Sequence, residues 1–574
     1  MKDSVTSVQN VNVNFSHSNT FDAIVVGSGI SGGWAAKELC EKGLKTLVVE
    51  RGHNVEHVKD YTTAFKNPWD FEHRGYVSNQ DKIECPIQST AFDEGNKHFF
   101  VNDQEHPYIQ ENPFYWIRGY QVGGRSLTWG RQCYRLSDLD FEANAKEGIA
   151  VDWPIRYKDI APWYDYVEKY VGISGRKEGL KHLPDGEFLP HIDFNCIEDF
   201  FANQIKKQYS DRVVTPSRVA NLTKGLSGRG PCQYRNLCSR GCPFTGYFSS
   251  NGVTLPAAML TGNLTLVTNS IVVEVLYDKN KKKASGVRVI DTLTHKVTEY
   301  FAKIIFLNAS TIATASILLN SKSDVFPDGL GNSSGQIGHN LMDHFLLTGA
   351  SGVYEGFEDS YYYGRSPGSI HIPRFRNVDE KTKMPDFIRG YGIQGKGERF
   401  GWDDMYAKVD GFGKEFKEKI TKPGPWEIWL GGWGETLPNF DNKVSLDANG
   451  KDKWGIPLTK ISFQYGENEK AMRKDIKSSC QEMLEKSGFK NINAFDYDKP
   501  AGSAVHEMGT VRMGRDPKTS VLNGFNQMHD VSNVFVTDGS CMTSSATQNP
   551  SLTYMALTAR ACEFAVSELN KGNL

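Results

Sequence analysis

The sequence lacks an excess of charge of either sign, and it lacks a long apolar run. Its 66 Lys and Arg residues nearly balance 68 Asp and Glu residues, which leaves a formal net charge of -2. Nucleic-acid-binding chains carry a clustered basic excess, so we expect no nucleic-acid partner. No uninterrupted apolar stretch approaches the ~18 residues of a membrane-crossing helix, so we predict no direct membrane span.

Residues 1–20 lack both the basic start and the apolar middle of a secretory signal. From this segment we expect no export signal or membrane anchor of the chain's own. A partner subunit could supply export, and residence in the cytoplasm agrees equally well with the same segment. Internal repeats and low-complexity linkers are also absent from the sequence, whose 574 residues predict two to four domain-sized units.

Cysteine is sparse and mostly scattered. Seven of the ten cysteines are dispersed, as small buried hydrophobes usually are, and the chain length and spacing argue against a disulfide framework. The other three, Cys232, Cys238 and Cys242, form a C-x5-C-x3-C pattern followed by Pro243. Thiolates bind iron–sulfur clusters, often with a proline after the last cysteine. A zinc site, which normally takes four protein ligands, and three unligated thiols remain alternatives.

The N-terminal segment has the pattern of a βαβ dinucleotide-binding unit. An apolar strand over residues 22–26 leads into Gly27, Gly29 and Gly32, then into a helical segment and a second apolar strand that ends at Glu50. In such a unit the glycines make the tight turn and admit a pyrophosphate at the helix N-terminus, and the acid holds ribose hydroxyls. The pattern predicts a parallel sheet and does not separate FAD from NAD. An ordinary glycine turn is the alternative.

The C-terminal third contains two further patterns. Aromatic and polar residues alternate over residues 349–499, which predicts an antiparallel sheet. Near the end of the chain, His506 precedes an apolar strand that runs into Asp538 and Gly539, and Asn549-Pro550 opens a helix. Asn549 is predicted to cap this helix, with Pro550 in the first helical position.

Taken in order, these motifs resemble the glucose–methanol–choline (GMC) superfamily of FAD oxidoreductases, over nearly the whole chain. The matching motifs are the first βαβ unit, Gly123-Gly124-Arg125-Ser126, Asn263-Leu264-Thr265-Leu266, Gly338-His339-Asn340-Leu341-Met342-Asp343-His344, Leu437-Pro438-Asn439 and the three C-terminal segments around His506, Asp538 and Asn549. The resemblance implies an α/β fold, with a Rossmann-like FAD-binding domain of the three-layer ββα type and an antiparallel-sheet α+β substrate domain.

The resemblance also implies domain boundaries. The substrate-binding domain is expected at residues 349–499, an excursion at 56–112, and an inserted lobe with the cysteines at 166–249. The discontinuous FAD-binding domain is expected to consist of residues 20–55, 113–165, 250–348 and 500–574.

The resemblance implies that His506 takes the proton of an alcohol while the carbon's hydride passes to flavin N5, with Asn549 as its partner. A neutral imidazole, whose reference pKa is about 6.5, suits this task near neutral pH. A structural histidine and a pure helix cap are the respective alternatives. For His339, His344 and His529 a structural role is expected.

The FAD site implied by the resemblance is extensive, and the bond to the flavin is expected to be non-covalent. Thr128 stands where pyranose-oxidase-like members carry the histidine that bonds to the flavin. The residues expected at the cofactor are Gly27, Gly29, Gly32, Glu50, Arg51, Gly123, Gly124, Ser126, Val272, Asp538, Gly539, Asn549 and Pro550.

Large flavoprotein subunits of bacterial sugar dehydrogenases place three cysteines at the same spacing around a 3Fe-4S cluster. This likeness implies a cluster at Cys232, Cys238 and Cys242, and a dehydrogenase rather than an oxidase, because an oxidase needs no relay. It further implies a small chaperone-like subunit, a cytochrome c acceptor, and co-export to the periplasmic side of the inner membrane, with the cytoplasm as the alternative.

The expected substrate is a sugar or glycoside, and glucoside 3-dehydrogenase is the first choice of activity. FAD glucose 1-dehydrogenase, gluconate 2-dehydrogenase and an oxygen-using pyranose-type oxidase are the enzymatic alternatives. A flavin- or metal-binding scaffold without catalysis is the non-enzymatic one.

Overall fold

The computed structural model describes residues 19–360, 364–365, 367–399 and 411–574. Most of the segment examined for an export signal, and parts of the predicted substrate domain (361–363, 366 and 400–410), lie outside the described residues. Within the described part of the chain, no helix combines the length and the apolar character that crossing a bilayer requires.

The described helices and strands are numbered in chain order. The helices are α1 Ile30–Glu41, α2 Asn79–Glu84, α3 Asp138–Phe141, α4 Ala143–Glu147, α5 Tyr157–Val171, α6 Cys196–Gln208, α7 Leu255–Leu260, α8 Thr311–Asn320, α9 Gly413–Ile420, α10 Glu467–Lys486 and α11 Ser551–Asn570. The strands are β1 Thr20–Val26, β2 Thr46–Val49, β3 Ile109–Gln110, β4 Thr215–Pro216, β5 Leu264–Val267, β6 Ser270–Asp278, β7 Lys283–Asp291, β8 Val297–Leu307, β9 Thr348–Tyr354, β10 Ile370–Ile372, β11 Tyr391–Arg399, β12 Trp426–Gly434, β13 Lys443–Lys451, β14 Pro457–Ser462, β15 Lys490–Asp496 and β16 Val534–Val536.

The predicted βαβ opening is present as β1, α1 and β2, and it forms the centre of a seven-stranded sheet with the order β5-β2-β1-β8-β7-β6. The strands β5, β2, β1 and β8 run parallel, as crossover connections require, and β16 also pairs parallel with β8. Strand β8 changes partner along its length. Its residues 297–301 pair antiparallel with β7, and its residues 305–307 pair with β16.

Both faces of the parallel strands are buried, which explains their nearly continuous apolar sequences. Ala23 and Val25 of β1 pack in one core with α1, α7 and α11. Ile24 and Val26, which point the other way, belong to a larger core that includes Val272 of β6. Because side chains alternate along a strand, β1 contributes to a layer on each side, and the expected three-layer Rossmann-like arrangement is confirmed.

The predicted antiparallel sheet is also present, with the order β15-β9-β12-β11-β10-β4. Its own core packs against α6 and α10. Two strands within residues 349–499 do not join it, because β13 and β14 form a third sheet with β3 from the segment 56–112. Conversely, β4 and α6 come from the segment 166–249. The predicted domain boundaries stay a prediction.

Candidate active site

A cavity of about 810 Å³ extends from the N-terminus of α1 to the C-terminal segments around His506 and Asn549. It brings together most of the residues expected at the cofactor. Those in its wall are Gly27, Gly29, Glu50, Arg51, Gly124, Ser126, Val272, Asp538, Gly539, Asn549 and Pro550. The expected base, His506, also lines the cavity. Gly32 and Gly123 lie directly behind the wall, as their contacts below describe.

The glycines at the start of α1 are required by close backbone contacts. Gly27 has φ +96°, and a Cβ there would lie 2.5 Å from the carbonyl oxygen of Asn308. A Cβ on Gly32 would lie 2.0 Å from the carbonyl oxygen of Gly27. Gly29 instead faces open space, with no atom within 4 Å of a Cβ, and no side chain caps the helix that follows it. The first N–H groups of α1 are therefore free for an anion such as a diphosphate.

Glu50 is held in place by the glycine loop. Its carboxylate accepts hydrogen bonds from Ser28 N at 3.0 Å, Ser28 Oγ at 2.5 Å and Gly52 N at 2.9 Å. Burial raises the pKa of Glu50, and these hydrogen bonds act against that rise. Since each carboxylate oxygen has two lone pairs, the side chain can still accept further bonds from ribose hydroxyls.

The Gly123-Gly124 turn packs on the same loop. Both residues have left-handed φ values, +87° and +49°, and a Cβ on Gly124 would lie 3.5 Å from Gly29 Cα. Gly123 N donates to Ser28 Oγ at 3.0 Å. The Ser126 hydroxyl donates to Gly123 O at 2.5 Å, which closes the turn.

Asp538 and Gly539 contribute a second backbone loop to the wall. The Asp538 carboxylate, 3% exposed, accepts from Ser540 N at 3.0 Å and from Thr314 Oγ1 at 2.6 Å. Burial raises the pKa of Asp538. A Cβ on Gly539 would lie 2.5 Å from Glu507 O, so the loop lies directly against the segment that carries His506.

Four buried polar atoms of the cavity wall have no hydrogen-bond partner among the described residues. They are Asn308 Oδ1, Arg51 Nε, His106 Nδ1 and Arg131 Nε. Buried polar groups nearly always have a partner, so these atoms indicate a polar ligand. Together with the glycine loop, the free helix N-terminus and Glu50, they fit a dinucleotide such as FAD.

His506 and Asn549, the two residues expected to be catalytic, lie in contact at the cavity wall. Asn549 Nδ2 lies 3.3 Å from His506 Nε2, and Gln394 Nε2 donates to Asn549 Oδ1 at 2.5 Å. Burial, the neighbouring His344 and the charge of Arg125 together place the pKa of His506 well below its usual value. The ring is therefore neutral near pH 7, which is the state a base needs.

Asp343 fixes the backbone of this segment. Its carboxylate accepts from His506 N at 3.0 Å and from Gly502 N at 2.8 Å. The group is fully buried, and burial together with the charge of Glu507 raises the pKa of Asp343 to about 8.

The capping role predicted for Asn549 is wrong. Helix α11 begins at Ser551 with Pro550 as its N-cap residue, and no side chain forms a cap bond there. The Asn549 side chain points to Gln394 and His506 instead. Pro550 consequently lies one position earlier than expected, because the side chain of Asn549 is used at the cavity rather than at the helix end.

Two side chains of this site were not predicted as functional. His344 was expected to be structural, yet its Nδ1 lies 2.9 Å from Nδ1 of His506. Its place directly after Asp343, in one of the motifs, was the available signal. Gln394 lies on β11 and has no local motif that could have identified it.

The three cysteines do not line the cavity. Cys232 Sγ accepts from Tyr234 N at 3.4 Å and Cys242 Sγ accepts from Gly246 N at 3.3 Å. Burial raises the pKa of Cys232 to about 11. Over the described residues, no three His, Cys, Asp or Glu side chains are grouped so that they could hold a metal ion. The described side chains therefore do not show the geometry of an iron–sulfur cluster.

Sequence comparison identifies relatives along the whole chain. The 2-methyl-1,2-propanediol dehydrogenase of Mycolicibacterium austroafricanum is 28% identical over 560 residues, which cover 95% of this chain and 94% of that protein. The fructose dehydrogenase large subunit of Gluconobacter japonicus is 25% identical, with coverage of 96% and 98%.

Structure comparison shows the fold, and family models show the family. The pyridoxine 4-oxidase from Mesorbium loti shares the fold, with a TM-score of 0.60 at 16% identity over 95% of this chain and 99% of that one. Residues 21–346 match the N-terminal model of the GMC oxidoreductases, and residues 438–558 match the C-terminal model. Because these two models include the glycine loop at one end of the cavity and the His506–Asn549 pair at the other, the chain belongs to the GMC oxidoreductase family.

Proposed function

We propose that this protein oxidises a hydroxyl group of a sugar to a carbonyl, with His506 as the base. As a GMC oxidoreductase it is an FAD enzyme that acts on CH–OH donors. The sugar and the roles of individual residues are the proposed part. The observation that supports these roles is the contact of His506 Nε2 with the Asn549 amide at the end of the cavity.

The proposed proton transfer depends on the state of His506. Because its pKa is low, the ring is neutral near neutral pH, so one of its two nitrogens is unprotonated and can accept the hydroxyl proton of a bound alcohol. The Asn549 amide can donate to the same hydroxyl oxygen and hold it near Nε2 without competing for the proton. Bound FAD would supply the two-electron acceptor that alcohol oxidation requires.

Several side chains of the cavity wall suit a sugar. Trp129 and Trp433 offer apolar faces, and Gln132 and Gln394 offer amide groups for hydroxyls. The fructose dehydrogenase relative supports a carbohydrate substrate. Glucoside 3-dehydrogenase is the first proposed activity, and FAD glucose 1-dehydrogenase and gluconate 2-dehydrogenase are the next to test.

The test is an anaerobic titration of the purified, FAD-loaded protein with methyl glucosides, glucose, gluconate, fructose and 1,2-propanediol. Loss of flavin absorbance with a pyranoside, and detection of the matching keto product, would support the proposal. Reduction by the small diol alone would contradict the sugar assignment. Stoichiometric hydrogen peroxide after admission of air would favour a pyranose-type oxidase over a dehydrogenase.

The electron acceptor and the compartment form a separate part of the proposal. The cysteine spacing and the two N–H···S bonds support a 3Fe-4S cluster at Cys232, Cys238 and Cys242, although the sulfurs do not converge in this structure. The fructose dehydrogenase relative is a large subunit. This supports a small partner subunit for the present chain, and with it a cytochrome c acceptor and a periplasmic location. Iron analysis and electron paramagnetic resonance of protein purified without air test the cluster directly.

A further inference from the structure

We propose that His344 is a positioning residue that holds His506 in the tautomer with a protonated Nδ1 and a free Nε2. The inference rests on the proposed role of His506 as a base. It concerns which of the two ring nitrogens carries the proton before any substrate arrives. In a neutral imidazole this is decided by the hydrogen bond that the other nitrogen makes.

The carbonyl oxygen of Ala546 fixes the direction of the hydrogen bonds that His344 makes. His344 Nε2 lies 2.8 Å from the carbonyl oxygen of Ala546, which can only accept, so this nitrogen carries a proton. His344 is fully buried, and burial lowers its pKa, so the ring is neutral. Its Nδ1 is consequently unprotonated and must accept from Nδ1–H of His506 at 2.9 Å.

The hydrogen bonds that Gln394 and Asn549 make on the Nε2 side of His506 agree with this direction. Gln394 donates to Asn549 Oδ1, so the Asn549 NH₂ group faces His506. An NH₂ group at 3.3 Å can only donate to Nε2 if that nitrogen is unprotonated. Both ends therefore assign the same tautomer to His506.

The arrangement matters for both halves of the proton transfer. With Nδ1 unprotonated and Nε2 protonated, His506 would present a donor to the substrate hydroxyl and could not act as a base. After Nε2 takes the proton, Nδ1–H of the cationic ring still donates to His344, and this bond stabilises the charge. In some hydrolases an aspartate orients the catalytic histidine by accepting from its Nδ1–H. Here the acceptor is a neutral imidazole.

The test compares two substitutions of the same residue in the FAD-loaded full chain. His344→Leu removes the acceptor, whereas His344→Asn can offer Oδ1 to His506 near the original position of Nδ1. We expect the rate of flavin reduction to fall about 100-fold in His344→Leu, at the lower end of what general-base catalysis contributes, and only about tenfold in His344→Asn, which keeps an acceptor. The matched control is His529→Leu, which removes a histidine bonded to Ser520 outside the cavity and should leave the rate unchanged.

A second measurement does not depend on turnover. In ¹⁵N-histidine-labelled protein, assigned by comparison with His506→Gln, protonated and unprotonated ring nitrogens resonate in separate regions. We expect His506 with a protonated Nδ1 and an unprotonated Nε2 in the wild type, and a mixture of tautomers in His344→Leu. If His344→Leu fails to fold, the wild-type spectrum and the rate of flavin reduction in His344→Asn still test the proposed tautomer.

Two results would overturn the inference: a wild-type His506 with its proton on Nε2, or equal flavin reduction in wild type and a folded His344→Leu. Failure of every alcohol to reduce the wild-type flavin would instead contradict the proposed function, and the spectrum would still report the tautomer.

Discussion

The His506 region and the cysteine segment 232–242 differ in how many of the partners that their side chains need come from the chain itself. Around His506, each functional group has a partner within the chain: Asp343 binds the backbone, His344 binds Nδ1 and Asn549 contacts Nε2. The sulfurs of Cys232 and Cys242 accept from backbone N–H groups, and the three cysteines form no metal-binding group among the described residues. The proposed base is thus arranged by protein partners alone, whereas the proposed cluster site is not assembled by the described side chains.

The largest effect is expected at His506. His506→Ala removes the base, and we predict that flavin reduction by the best alcohol slows about 1000-fold, in line with the usual contribution of general-base catalysis. Stopped-flow absorbance measures this rate, and the visible flavin spectrum checks that FAD is still bound. The control is His339→Ala, which removes a ring stacked on Phe440 away from Nε2. Equal rates in wild type and His506→Ala would contradict the role of His506 as the base, and the two regions would then no longer differ in this way.

A smaller and more selective effect is expected at the cysteines. Cys232→Ser should abolish the iron content and slow the reduction of an external acceptor, while flavin reduction by the alcohol stays unchanged, because Cys232 does not line the cavity. Cys85→Ser, a substitution of a buried thiol outside the cysteine segment, is the control for loss of a sulfhydryl. Iron-free wild-type protein with full acceptor activity would show that the cysteines are not part of electron transfer.

The smallest effect is expected from pH. Because burial and the neighbouring His344 and Arg125 lower the pKa of His506 below 6.5, the unprotonated ring predominates at pH 6.5 and above. Flavin reduction should therefore be constant from this pH towards pH 8 and should decline only in more acidic buffer. An exposed imidazole would give a midpoint near 6.5, so a midpoint at or above that value contradicts the burial argument.

Local sequence predicted the elements whose partners are close in the chain. The glycine spacing predicted β1, α1 and β2 because Gly27 and Gly32 meet close backbone contacts with Asn308 and within the unit, while Gly29 leaves the start of α1 open. The meeting of His506 and Asn549 came from the family resemblance, not from spacing. The contacts of His344 with His506 and of Gln394 with Asn549 could not be predicted from local sequence, since they join residues 162 and 155 positions apart.

Strand pairing was predictable only in type, not in partner. The alternating pattern of residues 349–499 predicted antiparallel strands, but nothing in it shows that β13 and β14 leave the main sheet to pair with β3. The helix start at Ser551 agrees with the sequence pattern, but the cap predicted at Asn549 was wrong because the use of Asn549 at the cavity is a tertiary effect. Long-range contacts of this kind override local preference.

The change of partner along β8 has a consequence for biosynthesis. The edge formed by residues 305–307 stays without its neighbour until residues 534–536 have left the ribosome, although β1 emerges first. A nascent chain therefore exposes a strand edge of high β propensity through most of translation, and exposed edges are where aggregation begins. Release of the last residues would close this edge and let folding proceed to completion.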